Sequence, residues 1–342
     1  MSPGVEPTDQ RLVLVIGPGR SGTSTIAGAL TRVGLEVPGR AIRGNDTNPS
    51  GFYEPRWVVD FHKSLLQSSQ VENLDSSPSA IHRTANAADK DDVQDTLRDW
   101  LGQRLAEQPR LVVKDPRTVW FRDLWVGVAR DLGVEPGFVT MLRHPAEVSA
   151  SRQKYYATSG RGDRRIDDVS RIAGWVNVAL TAEQVTQGSP RVFVRYTDLL
   201  EDWRRVLRRL QESVALEFVP PLDEDPHPVD DFIDPTLHRV RVDWSDVGVP
   251  AGLRDVAERA WQGLGVLCDG ESTEAIRAVE LARQEFAQLT EDALAISRHE
   301  IRRLQADARR RGRRAARKEL AQQVPVESRR GGWMRLPFGG TR

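Results

Sequence analysis

The segment RLVLVIGPGRSGTSTIAGALTRVG, residues 11–34, constrains this chain more than any other. Leu12 to Ile16 is an unbroken apolar run, the pattern of a strand buried on both faces of a parallel sheet. Ser24 to Val33 reads as a helix. Between them stands GPGRSGT, whose glycines at 17, 19 and 22 permit a tight turn and let backbone N–H groups approach an anion. The following helix points its positive end at the same spot. Arg20 adds a permanent charge with several donors, and Ser21, Thr23 and Ser24 add hydroxyls. Gly17 and Gly22 have the spacing of a nucleotide-triphosphatase loop, but Thr23 stands where its lysine should be. Gly17, Gly19 and Gly22 also fit the dinucleotide fingerprint in form, yet the only acidic candidate for its ribose contact is Glu36, on a very short strand.

Apolar runs and helical stretches alternate from there to about residue 214. Strands are expected at 35–37, 110–114, 137–143 and 191–196. Helices are expected at 55–66, 93–107, 119–132, 145–156, 172–186 and 199–214, the one at 145 with proline in its first turn. Residues 68–92 are polar and read as an irregular excursion. This alternation predicts a three-layer α/β fold, a parallel sheet with helices on both faces.

The last fifth of the chain is different. Ser272 to Gln322 is charged, alanine-rich and almost free of Gly and Pro, which predicts one or two long helices. Ala278, Leu281, Phe286, Leu289, Ala293, Ile296, Ile301 and Leu304 recur at threes, fours and fives, a narrow seam suited to docking or to a helix-mediated dimer. The chain is formally neutral, but Arg298 to Arg342 holds 14 Lys+Arg against 4 Asp+Glu, so residues 1–297 carry about −10 by difference. Seven cations fall in Arg309–Lys318, and Trp333, Leu336 and Phe338 follow, a combination that fits peripheral membrane contact. The single cysteine, Cys268, allows no intrachain disulfide and favours a cytoplasmic setting. The N-terminus lacks a signal-peptide core, and no run is apolar enough to span a membrane. The six histidines are scattered and imply no metal.

The motifs in order resemble the sulfotransferase family over roughly residues 11–265. PGRSGTS looks like the loop that holds the 5′-phosphosulfate of PAPS (3′-phosphoadenosine 5′-phosphosulfate), with arginine in place of the lysine of the animal cytosolic enzymes. VTMLRHPAEVSASR is similar to the family's 3′-phosphate site, an arginine after a strand and a serine eight residues on, here Arg143 and Ser151. NPSGFYE at 48–54 resembles the acceptor-side loop of bacterial members, VVKDPR at 112–117 their strand-end motif, VRYTDLL at 194–200 the segment that sets Tyr196 near adenine, and FIDPTLHRV at 232–240 a late segment that closes over the cofactor. The resemblance implies a P-loop-like sulfotransferase domain at 11–270, after a disordered leader at 1–10 and before a charged helical extension with a basic, aromatic tail at 271–342. It implies PAPS as donor without a metal, held by Gly19, Arg20, Ser21, Gly22, Thr23, Ser24, Arg143, Ser151 and Tyr196. A hydroxyl-bearing acceptor such as a glycan or glycolipid is expected, and no nucleic acid.

Two departures matter. Thr25 stands where the animal cytosolic enzymes stack a tryptophan on adenine, and Pro116 stands where they keep a catalytic histidine. The base must come from elsewhere. Glu54 leads, with Arg20 and Lys114 stabilising charge on the leaving oxygen. Glu54 also reads as an acid at a helix N-terminus just before Pro55. Asp115 and His62 are the alternatives, His62 reading otherwise as a helix-surface histidine. Arg117 pairs with Asp115 or grips an anionic acceptor. Two rival functions stay open. A P-loop kinase or NTPase would use Asp115 for Mg²⁺, and a degenerate scaffold would act through its basic tail.

Overall fold

The computed structural model describes residues 10–45, 48, 51–156, 164–234, 236 and 242–323. Residues 1–9 of the expected leader, parts of the 48–54 and 232–240 motifs, residues 157–163, and Trp333, Leu336 and Phe338 lie outside the described residues. The chain divides into two units, Met1–Thr290 and Glu291–Arg342.

In the first unit, β1 (Arg11–Ile16), β2 (Arg110–Lys114), β3 (Gly137–Leu142) and β4 (Arg191–Arg195) form one parallel sheet in the order β2-β1-β3-β4. Period-two alternation sends side chains to opposite faces. Leu12, Leu14, Ile16, Leu111, Val113 and Phe138 pack on one face with α2 (Arg56–Ser69), α4 (Asp91–Glu107) and α5 (Arg122–Asp131). Val13, Val15, Val112, Val139 and Val194 pack on the other with α1 (Thr23–Thr31) and α9 (Trp203–Ser213). A third cluster gathers α6 (Pro145–Tyr156), α7 (Arg164–Thr186) and α10 (Ala251–Leu267) around Leu142 and Phe193. The expected α/β class and parallel sheet are present, with helices on both faces.

Several expectations change. Residues 35–37 make a single bridge, Glu36 to Leu111, before Pro38, which has no N–H to continue a ladder. The excursion at 68–92 contains α3 (Ala80–Ala88), whose buried face of Ala80, Thr84, Ala87 and Ala88 is too small-chained to register as an apolar stripe. The helix expected at 199–214 is two: α8 (Tyr196–Glu201), then α9. They break at Asp202, whose carboxylate accepts from the Arg205 N–H at 2.9 Å and caps the second. α10 buries Leu253, Val256, Ala257, Ala260 and Leu264, a clear helical period that the alternation up to 214 does not reach.

α11 is one helix, Thr273–Gln323. In its first part Ala275, Val279, Ala282 and Phe286 are buried and Leu289 packs against them, a strict four-three spacing. Ala278 and Leu281, expected on the seam, are exposed instead. Arg283 also reaches the fully buried Glu183 at 2.6 Å, where Arg191 approaches at 3.4 Å. In the second unit, Leu294, Ile296 and Leu304 are exposed, as is every side chain from Arg309 to Lys318. No helix among the described residues is long and apolar enough to cross a membrane.

Breaking a buried ion pair leaves an uncompensated charge. Glu183→Ala is therefore expected to destabilise the first unit by roughly 3–5 kcal/mol, read from urea denaturation.

Candidate functional site

β1 lies inside the sheet, with β2 on one side and β3 on the other. Connections leave β1 toward one edge and later return to the opposite side, so its C-terminal end is the topological switch point where α/β sheets bind ligands. The glycine loop occupies that point. Gly17 has φ 112°, and a Cβ there would sit 2.6 Å from the Met141 carbonyl oxygen of β3. Gly22, with φ 91°, begins α1 without a side-chain cap, and its Cβ would meet the Tyr196 ring at 2.3 Å. Only glycine allows these two close approaches. Arg20 between them has φ 76°, an uncommon conformation for a residue with a Cβ, of the kind concentrated at functional sites. Ser21 is fully buried, and its hydroxyl makes no hydrogen bond in the structure. Thr23, at the start of α1, is also buried.

The β3–α6 junction meets this loop. Arg143, Glu147 and Ser151 stand four residues apart and share one face of α6 and its entry. Arg20 Nε donates to Ser151 Oγ at 3.1 Å, which joins the two elements. Arg143 Nε donates to Glu147 Oε2 at 2.7 Å. The Arg143 guanidinium lies 5.0 Å from the centre of the Tyr196 ring. Tyr196 is buried at the start of α8, and its hydroxyl bonds to the Thr25 side chain. Burial pushes the phenol above its ordinary range; Arg143, the Thr25 bond and Arg20 pull the other way, and Glu147 adds to the rise. Arg20, Arg143, Ser151 and Tyr196 thus stand together beside the loop.

A second group lies at the end of β2. Lys114 is the Cα partner of Val15, and its Nζ donates to Glu54 Oε1 at 2.5 Å. The two side chains are 3% and 13% exposed, so the pair is nearly dry. Glu54 does not cap the following helix: Pro55 holds the N-cap position and no side chain bonds there. Asn48 Nδ2 donates to Ser24 Oγ at 3.1 Å, and Ser24 Oγ donates to the Phe52 carbonyl at 3.4 Å. The Ser24 hydroxyl is therefore turned to the 48–54 loop. A Cβ on Gly19 would lie 3.3 Å from the Arg152 guanidinium and 3.9 Å from the Pro116 ring, so the glycine loop runs between α6 and the turn after β2. Beyond it, a Cβ on Gly28 of α1 would strike the Phe232 ring at 2.2 Å and the Tyr53 ring at 2.9 Å. Those two rings meet edge to face, and Arg32 lies 3.7 Å over Phe232.

The alternative bases are corrected by their bonds. His62 is fully buried rather than on a helix surface, because it shares the inward face of α2 with Val58, Val59, Leu65 and Leu66. The Trp125 indole N–H donates to His62 Nε2 at 2.9 Å, so the ring proton sits on Nδ1, which faces Asp115 Oδ2 at 3.0 Å. No lone pair is left to take a substrate proton. Asp115 Oδ1 accepts from the Arg117 N–H at 2.9 Å and from Arg117 Nη1 at 2.8 Å. Burial is the largest single influence on Asp115 and raises its pKa, but the hydrogen bond with His62 and then Arg117 together hold it below the ordinary value. This quartet braces the end of β2.

Three contributors were not anticipated. Glu147 could have been read from its four-residue spacing to Arg143 and Ser151. Asn48 and Trp125 act across 24 and 63 residues, and no local pattern signals such contacts. Among the described residues no group of three His, Cys, Asp or Glu side chains could hold a metal.

The fold is a three-layer α/β protein with a glycine-rich loop at its switch point. No family model matches the chain, and no curated protein matches it in sequence. Two solved structures are similar to it at 16% identity. The sulfotransferase domain from the Synechococcus PCC 7002 olefin synthase gives a TM-score of 0.39, with 85% of this chain and 98% of that one covered. The sulfotransferase domain from the curacin biosynthetic pathway gives 0.40, with 75% and 98% covered.

Proposed function

We propose that the chain is a PAPS-dependent sulfotransferase that transfers a sulfuryl group to an acceptor hydroxyl, the acceptor being a carbohydrate or glycolipid. One observation carries this reading: Arg20 and Arg143, from separate elements, meet around Ser151 and Tyr196 beside a glycine loop that holds a buried, unpaired serine hydroxyl. Two anion stations side by side suit a nucleotide phosphorylated at both ends of its ribose. The residues present fit that ligand. The Ser21 hydroxyl lacks an acceptor, Gly17 and Gly22 keep the loop backbone bare, and Tyr196 offers a buried ring. The loop residues Gly19 to Thr23 would hold the 5′ end, Arg143 and Ser151 the 3′-phosphate, and Tyr196 the adenosine.

PAPS supplies, when bound, an electrophilic sulfuryl group on a nucleotide leaving group. The protein's own residues position and discharge. Glu54 Oε1 is tied to Lys114, and Oε2 accepts the proton of the acceptor hydroxyl. Lys114, Arg20 and the loop N–H groups stabilise negative charge at the end of β1. The kinase reading is weaker on chemical grounds. Asp115, the metal ligand that reading would use, is buried with both oxygens already engaged, and Thr23 is no substitute for a loop lysine.

The cations of Arg309–Lys318 extend the reading to an anionic lipid surface, each contributing on the order of 1 kcal/mol there. Such contact would keep the domain near a membrane-borne acceptor.

Three measurements test these assignments. Calorimetry on Arg143→Ala is expected to show adenosine 3′,5′-bisphosphate binding weakened by about 2–4 kcal/mol, with AMP barely affected; equal losses for both ligands would remove Arg143 from the 3′ station. Glu54→Gln is expected to lower sulfate transfer by about 10²–10⁴-fold with cofactor affinity nearly intact. Activity within a few-fold of the parent would discard Glu54 as the base. In vesicle sedimentation, the full chain should bind phosphatidylserine vesicles at low salt and release them at high salt. Replacing Arg309, Arg310, Arg311, Arg313 and Arg314 together by glutamine should abolish binding without changing cofactor affinity. Undiminished binding would refute the lipid contact.

A further inference from the structure

Glu147 is neither in the glycine loop nor one of the two residues expected at the 3′-phosphate, yet its carboxylate accepts a 2.7 Å hydrogen bond from Arg143 Nε. We infer that Glu147 is a positioning residue that clamps Arg143 in the orientation that selects a 3′-phosphorylated nucleotide, an inference that rests on the assignment of Arg143 proposed above.

The geometry is specific. Arg143 at the entry to α6 and Glu147 and Ser151 on it recur every four residues, so the three fall in a row. The side chains of Arg143 and Glu147 are 10% and 13% exposed, so their 2.7 Å contact is largely shielded from water and salt. Arg143 is held on one side by this carboxylate and lies over the Tyr196 ring on another. A long, flexible side chain is thereby ordered before a ligand arrives, and the cost of ordering it does not fall on binding. Arg20 is held in the same way by Ser151, from the next turn of the same helix. The row on α6 thus pins both arginines.

The carboxylate has a second effect with the opposite sign. Its negative charge repels an incoming phosphate, while its hydrogen bond fixes the arginine that receives it. Substitution separates the two. Glu147→Gln keeps an acceptor oxygen at about the same reach and removes the charge. Glu147→Ala removes both. If charge were all that mattered, both variants would bind the bisphosphate more tightly. With Glu147 as a clamp, the two diverge.

The experiment is calorimetry of the full-length parent and both variants with adenosine 3′,5′-bisphosphate and with AMP. It is paired with the ¹⁵N NMR signal of the Arg143 Nε–H, identified by its loss in Arg143→Ala. The glutamine variant should bind the bisphosphate at least as tightly as the parent and keep the Nε–H signal. The alanine variant should bind it roughly tenfold more weakly, despite having lost a repelling charge, and the signal should broaden away. AMP affinity should be the same in all three, which a general loss of structure would not allow. An alanine variant that keeps the parent's preference for the bisphosphate over AMP overturns the clamp alone. A parent that shows no such preference overturns the assignment of Arg143, and the clamp falls with it.

Discussion

Everything at this site depends on how closely the glycine loop can approach β3. At Gly17 the backbone passes the Met141 carbonyl with no room for a Cβ. That approach lets Arg20 cross from the β1 loop to Ser151 on α6 and lets α1 begin against the Tyr196 ring. A side chain at 17 or 22 would separate the elements, and the two arginines would no longer share one space. The parallel sheet makes this possible because adjacent strands end at the same level, each delivering its following turn to the same rim.

The charges at the rim are arranged as pairs already made. Lys114 rests on Glu54, Arg143 on Glu147, and Arg117 on Asp115. Buried cations without partners would be costly to fold. Partners that are themselves side chains of the site keep the cations ordered. The His62–Asp115 contact differs in purpose. It is enclosed by Trp125 and Phe121 and gives rigidity to the strand end that carries Lys114.

Much of the sheet could be read directly, because four apolar runs with turn residues after them have few alternatives in a chain of this pattern. The tight turn after β1 was equally plain, since its glycine spacing marks it locally. What escaped was of two kinds. α3 buries mainly alanines, and small side chains give a weak periodic signal. His62 was misplaced because burial of a polar ring depends on Trp125 and Asp115, far off in sequence and close only after folding. The seam of α11 was right in part: Phe286 and Leu289 pack as expected, while Ala278 and Leu281 face outward because the buried row begins at Ala275, Val279 and Ala282.

The contact at Gly28 has a consequence for how this sequence can drift. Phe232 and Tyr53 fill the space that a side chain at 28 would need, and Tyr53 itself holds a left-handed backbone, φ 55°, directly before Glu54. Position 28 is therefore tied to the setting of a carboxylate it never touches. A methyl group there is harmless to helix propensity and even favourable in isolation. Accepted here, it would need a smaller ring at 232 in the same lineage, or the turn at 53 would shift. The two positions share one packing space, although 204 residues separate them along the chain.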